Sequence, residues 1–343
     1  MGNRIIDTDA QASALGWDFQ SSLALFYIID DIKKLEKVKV EGKTEDIELE
    51  YHTGEKIYIQ AKSQLDPFSN SNADKHLRNA LKALINTSQK CEYTHLIYGT
   101  NISNPFVYKG FNQLFSGYPT NYSFNELPNK IKEKIEKNII KVASEEKLSL
   151  ELFNYDKLRI ITLPFFGDHD DTRYRFVKEK VFVFLSKIGL NMVEANRIYK
   201  VFLLDFTKNA SKSIHIDKED LAWTIIVCAL DTSDDEFFDE FDLDIGQQDE
   251  IERRYEGFID RKTLDFSLLN EVEQHFKEMH LKKCFTINRT APKEFINRTV
   301  DYYEKKIFFK ESNDLTKDVT KFIIWKILKK RKLILRLSKE VGL

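Results

Sequence analysis

Residues 41–50 read EGKTEDIELE and residues 58–62 read YIQAK. Within this short span lie a carboxylate (Asp46), a carboxamide (Gln60) and an amine (Lys62). Aspartate is a hard oxygen donor of the kind Mg²⁺ takes in ones or twos while keeping several waters. The Gln60 amide oxygen and the Ala61 backbone carbonyl are further hard donors. A lysine beside such a cation can position a water and offset charge on a phosphate. Together they are parts for metal-assisted hydrolysis of a phosphodiester. The bland alternative for Asp46 and Lys62 is a cross-strand surface pair, worth at most ~1 kcal/mol.

These groups meet only if two strands pair in one register. Apolar spacing at Leu15, Phe19, Leu23, Phe26 and Tyr27 predicts a helix over 14–34. Three strands follow at 37–41, 46–51 and 56–62, joined by Gly42-Lys43-Thr44 and His52-Thr53-Gly54-Glu55, which have hairpin length and turn chemistry. Strand side chains alternate, so Ile47, Leu49 and Tyr51 share one face with Ile57, Ile59 and Ala61 once both strands pack on a common core. Asp46, Gln60 and Lys62 then emerge on the opposite face. The hairpin brings the start of one strand beside the end of the other. Glu48 and Glu50 fall on that face too, as rival ligands or as solvated edge charges. A helix over 72–89, a buried strand over 94–99 ending in Thr100-Asn101, a charged helix over 126–146 and a strand over 159–163 complete an α/β module.

The ordered set GWDFQ (16–20), VEGKTEDIEL (40–49), IYIQAKS (57–63) and Thr100-Asn101 resembles the PD-(D/E)XK nuclease superfamily. More narrowly it resembles effector nucleases of bacterial anti-phage systems of the CBASS and Lamassu kinds, over roughly residues 12–105. The resemblance implies a restriction-endonuclease-like core and a Mg²⁺-dependent DNA endonuclease, with Mn²⁺ able to substitute. It puts Asp46 at the metal-binding aspartate position and Lys62 at the catalytic lysine. Gln60 stands where many members carry an acid, which weakens metal affinity, and Glu41 is the acidic residue able to compensate. Gln20 either orients the site from its helix or is a buried amide satisfied by backbone groups. Asn101 is read as a strand-terminating turn residue. The rival to an enzyme is an inactive nuclease-like subunit that binds nucleic acid or acts as a scaffold.

The 343 residues, 42% hydrophobic with 26 Phe and 14 Tyr, suffice for two domains with packed cores. The first is expected over 1–167 and a mainly α-helical regulatory or partner-binding domain over 168–343, where helices are read at 173–209, 217–230 and 267–282. No nucleotide-binding module is read there. The resemblance to Lamassu-kind systems then implies control by partner subunits, such as an SMC-like or other ATPase, or by homo-oligomerisation.

A net charge of −2 gives no overall field for nucleic acid, so contact with DNA must be local. The acid-rich stretch 234–256 is read as a solvated or partner-facing surface. The basic, apolar stretch 317–343 is read as a helix buried against protein, in another subunit. Asp168, His169, Asp170 and Asp171 are read as loop residues, not a metal site. No Gly-rich phosphate loop, nucleophile elbow or zinc spacing occurs, which removes ATPase and acyl-transfer readings. Three scattered cysteines fit a reducing, cytoplasmic setting. The opening residues lack a secretory pattern, and Gly2 is not read as a lipidation site. The longest apolar run, 221–230, is short of the ~20 residues a membrane span needs.

Overall fold

An apolar sheet face made by Ile47, Leu49, Ile57 and Ile59 needs a cover, and all four side chains are buried. The computed structural model describes residues 8–342 apart from 211, 213, 230–234, 264, 287, 289, 310–312 and 330. In it, helix α1 (Thr8–Ile28) packs on that face. The approach is so close that a Cβ on Gly99, in the adjoining strand, would fall 2.4 Å from Leu23 Cδ2. A 3₁₀ segment (Ile29–Lys34) leads into the antiparallel meander β1 (Leu35–Val40), β2 (Ile47–Tyr51) and β3 (Lys56–Lys62).

Helix α2 (Ala73–Lys90) crosses the opposite face and returns the chain to β4 (His95–Thr100), parallel to β3. A short helix α3 (Asn112–Phe115) and strand β5 (Thr120–Ser123) follow, then α4 (Asn129–Glu146) and β6 (Leu158–Thr162), which runs parallel to β4. Leucines and isoleucines of α2 and α4 meet Leu96, Tyr98, Leu158 and Ile160 in one buried cluster. Beyond lie α5 (Asp170–Arg173), α6 (Arg175–Lys187), α7 (Met192–Ala210) and the two-residue β7 (Ile216–Asp217), which pairs with β1. The open sheet has seven strands in the order β5-β6-β4-β3-β2-β1-β7.

The fold is mixed α/β and mostly helical, with the expected meander, helix and following strand in place. The first compact unit runs past the expected limit at 167, to residue 187 and through 191–221. Two causes are visible. The Tyr174 hydroxyl donates to Asp18 Oδ2 on α1 at 2.7 Å. The apolar faces of α6 and α7 (Val177, Val181, Phe184, Phe202 and Phe206) are buried, and both helices pack on α1.

The second unit comprises residues 188–190 and 222–341. Into it run α8 (Lys218–Ala229), α9 (Asp235–Glu240), α10 (Ile245–Thr263), α11 (Phe266–Leu281), α12 (Ala291–Phe308), α13 (Asp314–Lys329) and α14 (Arg331–Val341). The acid-rich stretch is not merely surface. It forms α9 and α10, and Phe237 of α9 lies 4.5 Å from the Phe322 ring of α13. The basic C-terminal stretch is buried as expected, and its helix α13 packs against this chain's own α10 and α12. No described helix is long and apolar enough to cross a membrane. Gly2, Asp234 and Lys330 lie outside the described residues.

Asn101 follows the end of β4, as expected of a strand-terminating residue, but it is buried and not at the surface. It is 3% exposed, and its Nδ2 donates to the carbonyls of Gln64 and Phe165 while its Oδ1 accepts from the Gln64 amide. The segments that follow β3, β4 and β6 are thereby tied together. Replacing Asn101 by Ala strands these buried backbone groups, so unfolding in urea is expected to show a loss of about 1–3 kcal/mol.

Candidate active site

β2 and β3 pair with Ile47 opposite Ile59, so the next residues outward, Asp46 and Gln60, are neighbours across the hairpin's open end. Three donors converge on a single atom, Asp46 Oδ2. They are Gln60 Nε2, the Ala61 amide at 2.9 Å and Lys62 Nζ at 3.4 Å. Asp46 Oδ1 takes no hydrogen bond among the described residues. The side chains of Lys62 and Asp46 are 26% and 19% exposed, which places the pair in a recess open to solvent.

Ala61 donates toward Asp46 from the strand edge that β2 has vacated. In an extended residue the carbonyl leaves on the same edge as the amide, so the Ala61 oxygen faces that edge too. Gln60 presents its amide nitrogen to Asp46. Here it is a donor that fixes the carboxylate, and for its oxygen to lie beside Asp46 the amide must turn over.

Glu41 joins the group from the end of β1. Its amide donates to the Asp46 carbonyl at 2.7 Å. Its backbone is left-handed at φ 55°, a conformation that strains residues other than glycine. Gln20 of α1 hydrogen-bonds the Glu41 carboxylate. The Gln20 Oε1 atom is buried with no partner, so the amide is engaged at the site on one side and unsatisfied on the other.

Glu48 and Glu50 are engaged by other partners than Asp46. Glu48 Oε1 accepts from the Thr44 and Glu45 amides and so folds over the β1–β2 turn. Its path runs where a Cβ on Gly42 would stand, 2.3 Å from Glu48 Cδ, which explains glycine at that position. Glu50 pairs with Lys37 at 2.7 Å. In the 168–171 segment, Asp171 pairs with Lys178 at 2.8 Å.

Two further residues belong to this neighbourhood. Glu45 is 4% exposed, accepts from the Thr87 hydroxyl of α2 at Oε1, and leaves Oε2 buried without a partner. His76, on the second turn of α2, is half-buried and feels the charge of Lys62. Strand parity gives no sign of either. Glu45 lies just outside β2 in a turn, and His76 reaches the site only through the packing of α2.

The electrostatics are short of positive charge. Burial holds the Asp46 carboxyl above its usual range despite Lys62, Ala61 and Gln60. Burial and the Asp46 charge do the same to Glu41, against Gln20 and Lys62. Burial lifts Glu45 to about 8, with the Thr87 bond opposing and the Asp46 charge adding. His76 is pushed down, by burial first and then by Lys62.

Among the described residues no three His, Cys, Asp or Glu side chains form a cluster that could hold a metal ion. A cation satisfied by one or two carboxylates and a carbonyl is the kind this donor set fits. Two carboxylates that resist ionisation beside one lysine, with Asp46 Oδ1 left open, are what a divalent cation would relieve.

No family model matches the chain, and no curated protein matches it. Among solved structures, the Acinetobacter baumannii Cap4 SAVED/CARF-domain containing receptor with the cyclic trinucleotide 2'3'3'-cAAA is similar over 67% of this chain and 47% of its own. Identity is 13% and the TM-score 0.38. The Moraxella osloensis Cap4 SAVED/CARF-domain containing receptor is similar over 62% of this chain and 47% of its own, with the same identity and score. The chain thus spans about half the length of these structures. A likeness at this score establishes neither the fold nor the activity of the present chain.

Glu45 generates a pH prediction. A carboxyl raised from 4.5 to about 8 on folding binds its proton more tightly in the native state, so its favourable contribution is lost as pH rises through that interval. In metal-free buffer, urea unfolding is expected to show stability falling by on the order of a few kcal/mol between pH 5 and pH 8. Glu45→Gln is expected to remove most of that slope.

Proposed function

We propose that this chain is a divalent-metal-dependent DNA endonuclease with a restriction-endonuclease-like core. The observation that carries the reading is the convergence of Gln60, Ala61 and Lys62 on one oxygen of Asp46, with Glu41 alongside. Mg²⁺, or Mn²⁺ in its place, would be held by Asp46, Glu41 and the Ala61 carbonyl. When bound, it supplies Lewis acidity toward the phosphate and its leaving oxygen.

The chain's own residues do the remainder. Gln60 and the Ala61 amide hold the Asp46 carboxylate in one orientation, and Gln20 holds Glu41. The Lys62 ammonium, anchored on Asp46 and open to solvent, orients the attacking water and offsets negative charge on the pentavalent phosphate. Lys62 lies at the carboxyl end of β3, beside the carboxyl end of the parallel strand β4, the end at which open α/β sheets present their ligands.

On the sequence resemblance, the biological setting proposed is that of an effector subunit of a bacterial anti-phage system. Restraint of cutting would fall to partner subunits, an SMC-like or other ATPase among them, or to self-association. The second, helical unit is the part available for such contacts. The inert nuclease-like reading has one observation in its favour: Gln60 occupies the position of an acid and donates to Asp46, so it adds no negative charge.

Plasmid cleavage decides between the two. With Mg²⁺ present, Lys62→Ala is expected to lower the nicking rate by roughly 10²- to 10³-fold with circular dichroism unchanged, the usual loss for one charge-stabilising donor. Chelation is expected to abolish cutting. Cleavage by Lys62→Ala at the wild-type rate, or none by the wild type with its partners present, would establish the inert reading.

A further inference from the structure

We propose that a cavity at the carboxyl edge of the sheet is a subsite for one unstacked pyrimidine base of the DNA strand being cut. The proposal rests on the nuclease reading for the identity of its ligand, and on separate residues for its geometry. The cavity has a volume of about 160 Å³ and lies wholly within the first unit. A cavity of ~150 Å³ accepts a single benzene ring. One six-membered ring therefore fits, and the larger fused ring of a purine is accommodated less readily.

Its position follows from the ladder. Lys62, Thr100 and Thr162 are partners in turn across β3, β4 and β6, so their side chains leave the same face in one row. Lys62 stands at the candidate active site, and Thr162 lines the cavity two strands away. At a strand spacing of ~4.8 Å that is roughly 10 Å. A strand advancing ~3.4 Å per stacked nucleotide covers this in a few steps.

The walls suit a base. Phe68, from the segment after β3, and Phe166, from the segment after β6, meet edge to face at 5.2 Å. Phe68 keeps 62% of its surface in water, and Tyr118, 72% exposed, flanks the mouth with its ring on Phe176. Such exposed aromatic faces are the platforms on which single-stranded nucleic acid stacks, and a base must leave its duplex partner to reach them.

Arg175 is the one charged residue lining the cavity. Its guanidinium lies on the Phe176 ring at 5.4 Å and bonds Glu179 through Nε. Its terminal nitrogens thus suit a pyrimidine carbonyl or an adjoining phosphate. Both aromatic walls are braced by Asn101, which ties the Gln64 backbone to the Phe165 carbonyl.

The test is binding of the full chain, in EDTA so that no strand is cut, followed by fluorescence anisotropy at fixed salt. Oligothymidylate is expected to bind roughly 5- to 100-fold more tightly than a strand of equal length made abasic, the range for one stacked base. It is also expected to bind more tightly than oligoadenylate. Phe68→Ala, at an exposed position that does not threaten the fold, is expected to remove most of the thymidylate advantage, as is Phe166→Ala.

Equal binding of thymidylate and abasic strands, binding of neither, or an advantage untouched by both substitutions would overturn the subsite. The two readings fail separately. Cutting that depends on Lys62 with no base preference removes the pocket and keeps the nuclease. A Phe68-dependent preference in a chain that never cuts keeps the pocket and removes the nuclease.

Discussion

One carboxylate, Asp46, sits where a β-hairpin opens and receives three donors on a single oxygen. A partly buried carboxylate normally recovers its lost hydration through such bonds. Here the recovery is incomplete, because burial still outweighs the Lys62 ammonium, the Ala61 amide and the Gln60 amide. The same imbalance extends to Glu41 and, most strongly, to Glu45. Three neighbouring carboxyls that resist ionisation are a cost to folding that a merely structural hairpin end would not carry. Regions that break the usual rule of satisfied buried charge are where function concentrates.

That arrangement depends on elements whose own reasons for existing are ordinary. β2 and β3 are held in register by alternating apolar residues under α1, since a slip of one residue would expose Ile47, Leu49, Ile57 and Ile59 together. β4 braces β3 in parallel as far as Lys62, where Thr100 is its partner. Asn101 then ties off the segments that follow. The strand end bearing Lys62 is therefore backed by β4 on one flank and meets the Asp46 carboxylate on the other, which helps hold a side chain in one orientation.

Period-two alternation made this part of the chain legible. The parity of residues 46–51 and 56–62 placed Asp46 beside Gln60 and Lys62, and the structure brings the three together. Other features left weaker marks. β5, four residues reading TNYS, has neither length nor apolar alternation, and it exists because β6 offers it an edge. The first unit's continuation to 221 was hidden because α6 and α7 look like any amphipathic helices until α1 is seen to receive them. The acid-rich stretch read as surface because its charges outnumber Phe237, Phe238 and Ile251, yet those few apolar residues are the ones buried. Glu45 was invisible as a site neighbour because its burial comes from α2, which is distant in sequence.

The glutamine at position 60 shows how the site can work with fewer acids. An acid there would set another carboxylate against Asp46 in a recess where two already resist ionisation, and the one lysine could not offset all of them. A neutral amide avoids that repulsion and supplies a donor to Asp46 instead. On the proposed nuclease reading, the second negative charge a divalent cation prefers would come from Glu41, which follows β1. Its delivery is not free. Glu41 holds a left-handed backbone at φ 55°, a conformation costing of order 1–3 kcal/mol for a residue that is not glycine, and its carboxylate is secured by Gln20 across the face of α1. A left-handed position selected for stability alone would favour glycine at 41. On the proposed nuclease reading, the glutamate at this strained position, close enough to Asp46 to feel its charge and hydrogen-bonded by Gln20, would share a divalent cation with it.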